Sequence, residues 1–109
     1  MYIDDCVKGI DMIMHCNNLI ATPINLGSSE LVSINELVSK VEKIAGVKLK
    51  REYDPTAPRG VAGRNSDNTF IQKVLKWEPN TPLDVGLAAT YKWIKQQYAD
   101  RKKGRRVVE

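Results

Sequence analysis

Ser33 and Glu36 stand three residues apart at the head of an apolar run, and Gly46 closes that run. The Ser-x-x-Glu spacing is a capping box: each side chain can satisfy a backbone donor that the first turn of a helix leaves orphaned. Ile34, Leu37, Val38, Val41 and Ile44 then recur at helical spacing, so one face of this helix is apolar. Gly46 supplies the left-handed residue that commonly ends a helix. This segment constrains the fold more than any other, because its start, period and stop all agree.

The remaining segments alternate around it. Met1, Tyr2 and Ile3 read as the end of a strand. Asp4 or Asp5 is placed to cap a helix carrying Cys6, Val7, Ile10, Ile13 and Met14, with Met12 on another side. So wide an apolar arc is expected of a helix buried on more than one side. Residues 22–27 read as a short strand ending in a glycine turn, with Pro23 at its start or on an edge. Val47, Leu49, Arg51 and Tyr53 alternate with Lys48, Lys50 and Glu52, which predicts a half-exposed strand. Residues 54–64 form a loop stiffened by Pro55 and Pro58. A short helix is expected over 67–75, capped by Ser66 or Asp67, with Phe70, Ile71, Val74 and Leu75 inward. Thr81 and Pro82 suit the N-cap and first position of a last helix. That helix is expected to bury Leu83, Leu87, Ala88, Tyr91 and Trp93 or Ile94, and to fade after Tyr98. The pattern is α/β: a small sheet of about three short strands with about four helices.

A chain of 109 residues is one domain, and its 42% hydrophobic and 28% charged residues are those of an ordinary folding sequence. The net charge of +4 is local: Lys102, Lys103, Arg105 and Arg106 lie in the last eight residues. Residues 1–99 are therefore expected to form the domain and 100–109 a basic, disordered tail. Only Tyr98 lies near that tail to stack on a base, so nucleic acid is not the expected partner. No apolar run is long enough to span a membrane, and Asp4 and Asp5 interrupt any signal-like start. Cys6 and Cys16 read as buried thiols of a cytoplasmic protein. His15 is the single histidine and no Cys-x-x-Cys occurs, so no metal site is expected.

The segment Arg59-Gly60-Val61-Ala62-Gly63-Arg64-Asn65-Ser66-Asp67-Asn68 carries the chemistry. Two glycines let the backbone lie close to a ligand. Two arginines offer planar forks that match phosphate oxygens. A basic, glycine-containing loop running into a helix suits a phosphorylated ligand.

Several segments together resemble the extended short-chain dehydrogenase/reductases, in the NAD-dependent epimerase/dehydratase family. Tyr2-Ile3-Asp4-Asp5-Cys6-Val7-Lys8-Gly9 looks like a late strand–helix junction of that family. Ile24-Asn25-Leu26-Gly27-Ser28 looks like the next strand and turn, and Val32-Ser33-Ile34-Asn35-Glu36-Leu37 like the capped helix after it. The stretch from Gly60 to Asn68, with Leu75-Lys76-Trp77-Glu78-Pro79 and Tyr91-Lys92-Trp93-Ile94-Lys95, is most similar to the GDP-mannose 3,5-epimerase branch. The resemblance implies the C-terminal, substrate-binding portion of such an enzyme. It implies NAD in the intact enzyme but no cofactor in this chain, where no Gly-x-x-Gly-x-x-Gly follows a first strand. No catalytic residue maps onto the chain. Tyr91/Lys95 and Tyr98/Lys102 have the family's Tyr-x-x-x-Lys spacing but lie on the last helix, where they read as solvated faces.

One role carries over: the pyrophosphate-holding arginine of that branch matches Arg64, with Arg59 adding charge at the rim. The branch places a second arginine where this chain has Ala62, which should weaken the grip on phosphate. The implied ligand is a nucleoside diphosphate sugar, bound weakly, and the implied function is that of an epimerase/dehydratase fragment, inactive alone. Two other readings are a stand-alone interaction module that kept the fold and lost the chemistry, and a nucleic-acid binder working through its tail. A homodimer through the first helix is expected, because one small domain cannot bury so wide an apolar arc.

Overall fold

The structure is a computed structural model and describes residues 1–58 and 60–104. Its elements are α1 (Ile3–Met14), α2 (Ile34–Ala45), α3 (Thr69–Leu75) and α4 (Leu83–Lys102), with a single 3₁₀ turn at Asn17–Leu19. Among the described residues there is no strand and no sheet. The expected α/β architecture is therefore wrong: the fold is helical, with extended, unladdered connections.

The helix fixed best by sequence forms as expected. Ser33 N–H donates to Glu36 Oε2 at 2.8 Å, and Glu36 N–H donates to Ser33 Oγ at 3.2 Å. Gly46 sits at φ +69°, and the N–H groups of Gly46 and Val47 donate to the Lys43 and Glu42 carbonyls.

The expected third strand shows why the sheet is absent. Residues 47–53 lie along α2 and are held by one of its faces. Glu42 accepts from Leu49 N–H at 3.0 Å and from the Arg51 guanidinium at 2.7 Å. Arg51 also donates to Ser39 Oγ and the Asn35 carbonyl, and Tyr53 hydroxyl donates to Asn35 Oδ1. Asn35, Ser39 and Glu42 stand at i, i+4 and i+7, a polar stripe that takes the place of a neighbouring strand. The period-two pattern is real, but its partner is a helix. Residues 22–27 are likewise extended without a ladder. The expected strand at Tyr2 and Ile3 is a single extended residue, Tyr2, before α1 begins.

The helix boundaries shift in small ways. Neither Asp4 nor Asp5 caps α1; the N-cap is Tyr2, without a side-chain bond. Asp5 turns inward instead and accepts Thr81 N–H at 2.8 Å. Helix α3 starts two residues later than expected, at Thr69, and α4 starts at Leu83 after an N-cap at Pro82. Helix α4 also runs past Tyr98 to Lys102 and is followed by a turn at Lys103 and Gly104, while residues 105–109 lie outside the described residues.

Helices α2 and α4 pack together, tied by Lys40 Nζ to both Asp84 oxygens at 2.8 Å. Beneath α1, Gly9 admits the close approach of Leu26 and the Trp77 ring, and Lys8 Nζ lies 5.2 Å from that ring's centroid. Among the described residues Leu19, Ile71 and Pro79 are buried apolar side chains. Much of the rest of the expected core is half-buried, including Leu37, Val38, Ile44, Val74, Leu75, Leu83, Leu87 and Tyr91. Val7, Phe70, Ala88, Trp93 and Ile94 are exposed, and Cys6 and Cys16 are half-buried free thiols. The radius of gyration is 17.8 Å, against about 13 Å for a compact chain of this length.

Candidate functional site

Two loops form the site. Residues 63–68 lie against residues 25–30, joined by Ser66 N–H to the Ser28 carbonyl at 2.9 Å and Asn65 Nδ2 to the Ser29 carbonyl at 3.1 Å. Asn68 Nδ2 reaches the Gly27 carbonyl at 3.0 Å and Glu78 Oε2 at 2.9 Å. Gly27 is needed for this approach, because a Cβ there would sit 2.8 Å from Ser66 Cβ. Ser66 Oγ and Asn68 Oδ1 are buried without a hydrogen-bond partner.

Arg64 lines a cleft of about 630 Å³ with Met1, Asn25, Ser28, Glu30 and Asn65 among its walls. That volume lies within the usual range of small-molecule sites. The two carboxylates nearest Arg64 in this loop, Asp54 and Asp67, are engaged elsewhere. Asp67 accepts Thr69 N–H at 3.0 Å, and that bond holds its carboxyl below the usual aspartate range. Asp54 accepts the Thr56 hydroxyl and N–H, which lower it similarly. Among the described residues Arg64 makes no ion pair, and it is exposed. Arg59, the second expected phosphate contact, lies outside the described residues. Glu30 lines the same cleft, but its Oε2 accepts Leu83 N–H at 3.0 Å.

Each helix already carries an acid at its N-terminal end. Asp4 and Asp5 lie in the first turn of α1, Glu36 closes the box of α2, Asp67 meets the start of α3, and Glu30 meets the start of α4. The site usually open to a phosphate at a helix N-terminus is thus taken at α2, α3 and α4, where Glu36, Asp67 and Glu30 accept backbone N–H groups. An anion entering the cleft meets Arg64 as its cation. An apolar hollow of about 340 Å³ adjoins the cleft, sharing Met1, Ser28 and Glu30 and walled by Tyr2, Val32 and Leu87.

The Tyr-x-x-x-Lys spacings on α4 are local pairs. Lys95 lies 6.0 Å from the Tyr91 ring and Lys102 4.8 Å from the Tyr98 ring, each on its own helix face. Sequence reasoning missed Glu30, whose partner is 53 positions away, and no local pattern could have shown it. The glycine turn at Gly27 did mark the second loop.

No family model matches the chain. Among characterised proteins it is 42% identical over 101 residues to GDP-mannose 3,5-epimerase of Arabidopsis thaliana, covering 93% of this chain and 26% of that protein. The chain is homologous to a portion of the NAD-dependent nucleotide-sugar epimerases. It is also 34% identical over 96 residues to a UDP-glucuronate 4-epimerase of Thermodesulfobacterium geofontis (87% of this chain, 29% of that protein). A probable GDP-L-fucose synthase of Oryza sativa subsp. japonica is 32% identical over 104 residues (94% and 31%). The chain thus spans roughly a quarter to a third of the length of these relatives. The match is consistent with the C-terminal portion of an extended short-chain dehydrogenase/reductase.

Proposed function

We propose that this chain is the substrate-binding portion of a nucleotide-sugar epimerase/dehydratase and that Arg64 holds the pyrophosphate of a nucleoside diphosphate sugar. The observation that carries the reading is an arginine that makes no ion pair among the described residues and lines a cleft of ligand size, while the N-termini of α2, α3 and α4 are met by carboxylates. A guanidinium can grip two phosphate oxygens at once, where a lysine offers a point charge. The relatives named for GDP- and UDP-sugars share that diphosphate and differ in base and sugar.

The residues present do not fit NAD. The glycines at Gly60 and Gly63 do not lead from a strand into a helix, and the helix that follows meets the Asp67 carboxylate where a pyrophosphate would lie. The chain alone is accordingly expected to be inactive. Its own contribution is to bind and orient the sugar nucleotide beside a hydride acceptor held elsewhere.

Calorimetric titration with GDP-mannose tests the reading. Arg64→Ala should weaken binding by about 1.5–3 kcal/mol, the worth of a charge-assisted hydrogen bond, and Arg64→Lys should restore part of it. Equal binding by wild type and Arg64→Ala would defeat the assignment.

A further inference from the structure

Asn68 stands at the N-cap of α3 but does not cap it. An asparagine there ordinarily accepts a backbone N–H of the first turn through its Oδ1. Here the side chain makes no capping bond, and Asp67 accepts Thr69 N–H in its stead. The Asn68 amide turns inward, 6% exposed, and directs its Nδ2 hydrogens to the Gly27 carbonyl at 3.0 Å and to Glu78 Oε2 at 2.9 Å. Both partners only accept, so reversing the amide would set oxygen against oxygen. Asn68 Oδ1 is buried without a partner among the described residues. A buried acceptor left bare costs stability, so this side chain acts through its donors and is not placed for stability alone.

The bond to Gly27 is the inner end of a clasp. Asn68, Ser66 and Asn65 donate in turn to the carbonyls of Gly27, Ser28 and Ser29, so the two loops run antiparallel in one register. Arg64 is the next residue outward, on the cleft that it shares with Glu30. Asn65, at the outer end, is exposed, and water competes for its bond; Asn68, at the inner end, is shielded. Glu78, which also accepts from Gln72 Nε2, anchors Asn68 from the side of α3.

We propose that Asn68 is the positioning residue of the cleft, a role that rests on Arg64 holding the diphosphate. Its donors, given to the Gly27 carbonyl and to Glu78, set the register in which residues 63–68 lie against residues 25–30. That register fixes where the Arg64 guanidinium stands. Asn68 itself touches no ligand; it acts through Arg64, four residues away. Asparagine suits the task because one amide carries two hydrogens for two acceptors. Aspartate, of the same shape, would set its carboxylate against a carbonyl and a second carboxylate.

Amide hydrogen exchange reads the clasp without ligand. In Asn68→Ala the Ser66 N–H, bonded to the Ser28 carbonyl, is expected to exchange about tenfold faster, while the amides inside α2 and α4 keep their rates. Glu78→Gln keeps the side chain's shape but leaves a single oxygen for Asn68 and Gln72 to share, and should raise the Ser66 rate by a smaller step. It takes the place of Asn68→Ala in both experiments if that variant does not fold. A Ser66 rate unchanged by these substitutions overturns the inference, whatever Arg64 binds. Calorimetry with GDP-mannose then separates positioning from stability. Asn68→Ala should weaken binding about fivefold to tenfold. A guanidinium must be aimed to grip two oxygens, whereas an ammonium on a flexible stem need not be. In the Arg64→Lys background the same substitution is therefore expected to weaken binding about twofold or less. An equal loss in both backgrounds makes Asn68 a structural residue only and also overturns the inference. If Arg64→Ala leaves GDP-mannose affinity unchanged, the diphosphate reading falls, and the Ser66 amide still decides whether Asn68 holds the loops.

Discussion

Arg64 and Gly27 act together in this account. Arg64 supplies the charge, and Gly27 lets the two loops that carry the cleft touch. A Cβ at position 27 would stand 2.8 Å from Ser66 Cβ, which is fixed to its own backbone and cannot swing aside. Gly27→Ala is therefore expected to separate the loops and cost about 1–3 kcal/mol of stability by overpacking. It should also weaken ligand binding without touching a charge. Chemical denaturation alongside calorimetry checks both effects; unchanged stability and affinity would show that the two loops need not touch. The arginine was legible in sequence because basic residues beside glycines have a plain chemical use. That Arg64 stays without an ion pair was not legible: Asp54 and Asp67 lie close in sequence, and only the fold shows them bonded to Thr56 and Thr69.

Among the elements, α2 organises its surroundings. Its ends follow from local chemistry, which is why Ser33, Glu36 and Gly46 sufficed to place them. Ser33→Ala removes the cap and should cost about 1 kcal/mol, read as a lower midpoint in thermal or denaturant unfolding. Glu36 and Glu42 carry the pH dependence. The Ser33 N–H bond holds Glu36 below its ordinary value of 4.5, and the Arg51 bond does the same for Glu42. With folded values below unfolded ones, their stabilisation is fully present above pH 4.5. It is lost as pH falls through the lower folded values. Glu42→Gln should flatten that acid limb in a series of unfolding curves; an unchanged limb would deny the Arg51 pair any role. The strands were misread for a physical reason. Alternation at residues 47–53 reports which side chains share a face, and says nothing of what lies opposite. A strand exists only with a partner ladder, and here Asn35, Ser39 and Glu42 take that role.

The whole molecule is expanded and apolar outside, with a radius of gyration of 17.8 Å. Exposed Trp93, Ile94, Tyr98, Val7 and Met14 are side chains that an ordinary core would hold. The chain matches a quarter to a third of its relatives' length. No helix among the described residues is long and apolar enough to cross a membrane, so these faces do not form a spanning helix. Nuclear magnetic resonance titration of the backbone amides tests the central claim most directly, with GDP-mannose and NAD added separately. GDP-mannose is expected to shift the amides of residues 25–30 and 63–68, with the shifts lost in Arg64→Ala, while NAD leaves them in place. Shifts from NAD at the same amides, or GDP-mannose shifts that persist in Arg64→Ala, would contradict it.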